Sequence, residues 1–173
     1  MNSVHQRYLE YHHRILLWQQ GMGQDINDPE QAKHQWGYTQ SEWVELLNAV
    51  VSKDARPTAD GIGDVLFTAL GMPLPFVLNL INDRHAGLLF IIESLALASN
   101  WDQFEILEAV CKSNYSKFWE TVDGVDTTRF TIHSANNGKF VVRSKDTNKV
   151  AKPPTFKEPN FSAILNGPSL KPG

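Results

Sequence analysis

The sequence predicts a mostly α-helical bundle that carries a small β-hairpin and an extended C-terminal tail. Three observations lead there. Apolar residues recur at three- and four-residue intervals through most of residues 4–119. Two short alternating segments then flank Asn136-Asn137-Gly138, and Asn-Gly is a strong hairpin signal. From Lys145 to Gly173 the chain is rich in Lys, Pro and Asn and has no helical period. The expected division is a helical domain over 1–120, with a hairpin and tail over 121–173 packing on it.

A first helix is expected over about Val4–Gly21, with Tyr8, Tyr11, Ile15 and Trp18 along one face. Gly21, Gly23 and Asp28-Pro29 mark a loop. A second helix is expected to start near Thr39, which forms a capping-box pattern with Glu42. Its apolar stripe is Trp43, Leu46, Leu47 and Val50, and Arg56-Pro57-Thr58 is expected to break it. A third helix spans about Thr58–Gly71, with Ile62, Val65, Leu66, Ala69 and Leu70 inward, until Met72-Pro73-Leu74-Pro75 ends it. Two apolar helices follow at about Phe76–Asn82 and Ala86–Ser99. Another covers about Trp101–Trp119, with Asn100 as its N-cap. The strands are Phe130–Ser134 and Phe140–Ser144.

Bulk properties narrow the classes. A chain of 173 residues suits one domain with a small appendage. A net charge of −3 argues against a broad electrostatic grip on nucleic acid, yet leaves room for a local basic cluster around a small anion. The single cysteine, Cys111, makes no internal disulfide and suits a reducing, cytoplasmic setting. The N-terminal stretch carries Arg7, Glu10 and Arg14, so no signal-peptide core is expected there. The most apolar stretch, Leu74–Ala98, is interrupted by Asn79, Asn82, Asp83, Arg84, His85 and Glu93, which reads as core helices and not a membrane span.

Two acidic pairs are the central chemical feature. Glu42 and Glu45 are three apart, and Asp60 and Asp64 are four apart, so each pair shares a helix face. If the two helices pack antiparallel, four carboxylates converge on one spot, and hard oxygen donors suit Mg²⁺ or Mn²⁺. The same spacings also suit acids on a solvated face, with Glu42 merely completing the cap. A second constellation is Lys112-Ser113-Asn114-Tyr115-Ser116-Lys117, whose cations and neutral donors suit a polyphosphate; lysines at a helix C-terminus also complement its dipole. Lys149-Val150-Ala151-Lys152 adds cations, either to that site or to a solvated tail. Trp36, Trp43 and Trp101 read first as core or interface residues, and Trp36 or Tyr38, just before the acidic residues, also suits stacking on a nucleobase. The adjacent His12 and His13 lack zinc-binding spacing, and no phosphate-binding or dinucleotide loop is present.

Taken together these pieces resemble the all-α NTP pyrophosphatases, the MazG-like and phosphoribosyl-ATP pyrophosphohydrolase-like superfamily. Glu42-Trp43-Val44-Glu45 matches the family's E-x-x-E motif, and Asp60-Gly61-Ile62-Gly63-Asp64 is similar to its second acidic motif. Ser113-Asn114-Tyr115-Ser116-Lys117 is similar to the S-N-x-S-K segment of one branch, followed there by a lysine- and proline-rich stretch like residues 149–159. The resemblance implies a helical catalytic domain that cleaves (d)NTP to (d)NMP and pyrophosphate. It implies Mg²⁺ held by Glu42, Glu45 and Asp64 with Asp60 as fourth acid, and substrate contacts from Asn114, Lys117 and Lys152, to which the readings above add Lys112 and Trp36. It also implies a homodimer or tetramer. The expected partners are a (d)NTP and a second copy, with no nucleic acid and no membrane. Two departures stand out: Gly61 occupies the position of the family's second-motif Glu, and Met72–Asn100 is longer than usual. They leave open a degenerate dimer that binds nucleotide or protein without turnover, and the same chemistry on phosphoribosyl-ATP.

Overall fold

The structure is a computed structural model that describes residues 3–25 and 27–166. Helix α1 spans Val4–Gly21, as expected, with the Ser3 hydroxyl accepting from Gln6 N. Helix α2 spans Pro29–Ser52 and starts ten residues before the expected Thr39. Asp28 is its N-cap and Pro29 occupies the first turn, where a missing N–H costs nothing. Thr39 is instead buried mid-helix and donates its hydroxyl to the Gln35 carbonyl at 3.2 Å. The early turns escaped the apolar period because their inward face is polar.

Lys53 adopts a left-handed conformation and Asp54 caps the next helix, α3, over Ala55–Leu70. Arg56-Pro57-Thr58, expected as a break, therefore lies in the first turn of α3. The two-residue link makes α2 and α3 an antiparallel hairpin, the most extensive packing in the molecule. Gly61 sets its closeness: a Cβ there would lie 3.0 Å from Leu46 Cα. On its other side α3 packs on α6 (Gln103–Tyr115), where a Cβ on Gly63 would collide with Val110. Ile62, Val65, Leu66, Ala69 and Leu70 are fully buried, so α3 is the central element. Of the expected α2 stripe, Leu46 is buried while Leu47 and Val50 are exposed.

Helices α4 (Leu74–Asn82) and α5 (Leu88–Ala98) form the extra pair. Arg84 Nε and the Tyr8 hydroxyl each donate to Glu93 Oε1 at 2.7 Å, tying the pair to α1. The N-cap of α6 is Asp102, whose carboxylate accepts from Phe104 N at 2.7 Å; Asn100 instead takes a left-handed turn. The helix ends at Tyr115, before the expected Trp119, and Trp119 then bridges to Phe140.

Strands β1 (Phe130–Ser134) and β2 (Phe140–Ser144) form an antiparallel hairpin at the expected positions. It docks through a small cluster of Met22, Phe118, Ala135 and Val141. The tail then runs back over the helices. Trp119 Nε1 donates to the Ala151 carbonyl, the Ser116 hydroxyl accepts from Lys157 N, and Phe161 enters the main core. Burying one phenylalanine contributes roughly 1.5–3 kcal/mol toward docking this segment. A short helix α7 (Ser162–Leu165) follows; the last seven residues of the expected tail lie outside the described residues. No described helix is long and apolar enough to cross a membrane.

Candidate functional site

The antiparallel α2–α3 hairpin brings the four acids into one electrostatic field. Asp64 lies most deeply: burial first, then the charges of Asp60, Glu42 and Glu45, pushes its carboxyl up to about 7, against the pull of Lys117. Glu42 is raised by burial, then by Glu45 and Asp60. Burial also raises Asp60, with Glu158 and Glu45 adding to it and Arg56 opposing. Asp60 Oδ1 is buried without a hydrogen-bond partner.

The side chains are not closed around a point. Among the described residues, no group of three or more His, Cys, Asp or Glu stands at metal-holding spacing. The donor chemistry fits a hard divalent cation: oxygens only, a partnerless Asp60 oxygen, and a part-buried Asp64 whose acidic neighbours outweigh the pull of Lys117.

Glu42 and Asp64 line a cleft of about 1260 Å³. Asn114, Lys117 and Lys152 line the same cleft, joined by Lys149, Arg143 and His133 from the hairpin side. Lys117 donates to Asn114 Oδ1 at 2.6 Å, and Asn114 Nδ2 donates to the Val110 carbonyl, so the helix fixes the ammonium. Burial lowers the Lys117 pKa, with Asp64 the largest influence in the other direction. Lys152 pairs with Glu158 at 3.0 Å and lies 4.0 Å from the Phe156 ring. Arg143 donates to the Met22 and Asn148 carbonyls and braces the wall.

Glu45 and Asp60 do not line the cleft and act on it through their charge. Two expected substrate contacts lie elsewhere. Lys112 is exposed, pairs with Glu108 at 3.5 Å and borders a separate cavity of about 680 Å³. It is two residues from Asn114, roughly 200° round the helix. Trp36 packs edge-on against Phe76, with ring centroids 5.4 Å apart, whereas Tyr38 lines the cleft. Ser116, expected as a phosphate donor, fastens the tail instead.

Sequence reasoning named Tyr38 but missed Gln31, His34 and Gln35, which line the cleft with it from α2. The signal was present as a helical period of polar residues, but an apolar search passes over it. Glu158 was also missed, since only the returning tail brings it near Asp60 and Lys117.

Fold and cleft thus define a mostly helical protein with a mixed acid and base site. Set against known proteins, the chain matches no family model, no curated protein and no solved structure.

Proposed function

We propose that the chain is a Mg²⁺-dependent pyrophosphohydrolase that cleaves (d)NTP to (d)NMP and pyrophosphate. The observation that carries this reading is the juxtaposition in one cleft of Glu42 and Asp64 with Asn114, Lys117 and Lys152. The motif resemblance assigns phosphate chemistry to the same residues.

Glu42 and Asp64 would hold the cation, Mg²⁺ or Mn²⁺, from the cleft wall, with Glu45 and Asp60 as the further acids the resemblance assigns to it. When bound, it neutralises triphosphate oxygens and the charge developing on the leaving group. Lys117 and Lys152 attract phosphate oxygens, and for Lys152 the substrate must replace Glu158 as partner. Asn114 holds the Lys117 ammonium toward the cleft. Water held by one of the acids attacks the α-phosphorus, the bond to the bridging oxygen breaks, and pyrophosphate departs.

The resemblance adds a homodimer or tetramer, and the lone Cys111 suits a reducing, cytoplasmic setting. The exposed row Val44, Leu47 and Val51 on α2 offers apolar surface for a second copy. Pyrophosphate release from a panel of NTPs, dNTPs and phosphoribosyl-ATP, with Mg²⁺ or Mn²⁺, tests the activity. Cleavage of none of them sinks it.

One observation favours a second reading, a nucleotide-binding dimer without turnover. Position 61 is buried against Leu46, so no acid can stand there. Thermal stabilisation by dNTP with no pyrophosphate release would select that reading.

A further inference from the structure

The charges along the cleft are sorted by element. The carboxylates among its described lining residues, Glu42 and Asp64, come from α2 and α3. The hairpin side contributes Arg143 from β2 and Lys149 from the turn that follows, and no acid. Among the described residues, no carboxylate lies within ion-pair distance of either cation. Lys152 differs, because Glu158 already pairs with it. Lys117 differs too, since it stands in the field of Asp64.

Arg143 is held in place. Its guanidinium donates to the Met22 carbonyl at 2.7 Å and to the Asn148 carbonyl at 3.0 Å, and both of those residues line the cleft as well. Neutral carbonyls orient the group without cancelling its charge, and two bonds use only part of a guanidinium's donor set. A part-buried cation without a counterion is unfavourable, and an anion entering the cleft relieves it. Lys149 is kept beside Arg143: Arg143 bridges Val150, and Ser144 N donates to the Lys149 carbonyl at 2.9 Å.

Helix α1 sets the spacing to Lys117. Lys117 Nζ lies 5.9 Å from the centre of the Trp18 ring. Met22 N donates to the Trp18 carbonyl at 2.9 Å, so the residue that holds Arg143 lies one turn further along α1. One turn advances roughly 5.4 Å. The anchor points of the two cations are thus a helical turn apart, on the scale of a triphosphate chain. The hairpin is seated by Val141, two residues before Arg143, which packs with Met22 and Phe118 in a buried cluster.

We propose that Arg143 and Lys149 form a subsite for the terminal phosphate, which points the phosphate chain toward the hairpin and selects nucleoside triphosphates over diphosphates. The proposal rests on reading the cleft as a nucleotide site and adds the direction and length of the chain it accepts. The terminal phosphate carries the most charge, so it gains most from cations that face no acid. The α-phosphate carries less, and it is the one the acids serve by way of a bound cation. A diphosphate ends short of the hairpin and leaves both cations unpaired. Sites built to bind a group reject ligands that lack it.

Calorimetric titration with inorganic tripolyphosphate and with a dNMP, in Mg²⁺ buffer, tests this. Lys149→Met and Arg143→Met should each weaken tripolyphosphate binding at least about tenfold and leave dNMP binding unchanged. The Lys149 ammonium makes no hydrogen bond among the described residues, so that variant keeps the test valid if loss of the Arg143 contacts loosens the hairpin. Lys145→Met is the control for net charge: Lys145 donates to the Thr127 carbonyl and does not line the cleft, so binding should hold. In both test variants the preference in kcat/KM for dNTP over dNDP should fall toward one. Tripolyphosphate that does not bind wild type, binds both test variants as tightly, or is weakened equally by Lys145→Met overturns the proposal. An equal loss of dNMP binding also overturns it, since the hairpin would then hold the α-phosphate. Tripolyphosphate binding that depends on Arg143 and Lys149, with no cleavage of any dNTP, upholds the subsite while refuting the hydrolase reading.

Discussion

Asp64 concentrates the tension in this molecule. Its carboxyl titrates near 7 when folded, well above its ordinary value of 3.8. Between those two pH values the folded chain binds more protons than the unfolded chain, so stability falls as pH rises through that window. In metal-free buffer, denaturation midpoints should drop from pH 4 toward pH 7, the Asp64 contribution being on the order of 2–4 kcal/mol. Asp64→Asn should flatten this part of the profile, keep the helical circular dichroism, and reduce pyrophosphate release at least about a hundredfold. An unchanged profile would show that the acid is not buried among like charges. Full activity in the variant would remove it from the site. Gly61 is the second informative residue. Installing the family's acid with Gly61→Glu should not improve activity, because the side chain would press on the α2 backbone at Leu46. A loss of at least about 2 kcal/mol in urea unfolding is expected, from overpacking and a buried charge.

At the scale of elements, α3 organises everything around it. Small residues face its neighbours on two sides, Gly61 toward α2 and Gly63 toward α6. Gly63→Ala should cost about 1–3 kcal/mol in chemical denaturation, despite alanine's better helix propensity, since the methyl collides with Val110. A stabilised variant would show that the α3–α6 seam yields. Much of this level was legible in sequence. Helix α1 and both strands lie where apolar periodicity and the Asn-Gly signal put them. The start of α2 was not, because Gln31, His34, Gln35 and Tyr38 face a cleft and not the core, so the apolar period vanishes where the site begins. The capping pattern Thr39–Glu42 misled for a related reason. A threonine inside a helix can turn its hydroxyl to the preceding carbonyl, as Thr39 does with Gln35.

For the whole molecule, the exposed apolar row Val44, Leu47 and Val51 sits on the side of α2 away from the Leu46 core contact. If a second copy covers it, sedimentation should show a dimer or larger species. Leu47→Glu should shift it to monomer by placing a charge in an apolar contact. A monomeric wild type would dismiss the oligomer.

By itself the sequence determined the helical class, the hairpin, the inward face of α3, and the pairing of Glu42 with Glu45 and of Asp60 with Asp64 along their own helices. Those features depend on residue spacing within one element, where local geometry decides which side chains share a face. Only the tertiary structure decided which cations meet those acids. It brought Lys117, Lys149 and Lys152 into their cleft and left Lys112 and Trp36 outside it. It also returned Glu158 to the site and aligned Gln19 with Gln35 over Gly71. Such pairings join residues far apart in the chain, and they depend on how helices pack and where the tail docks, which local spacing does not encode.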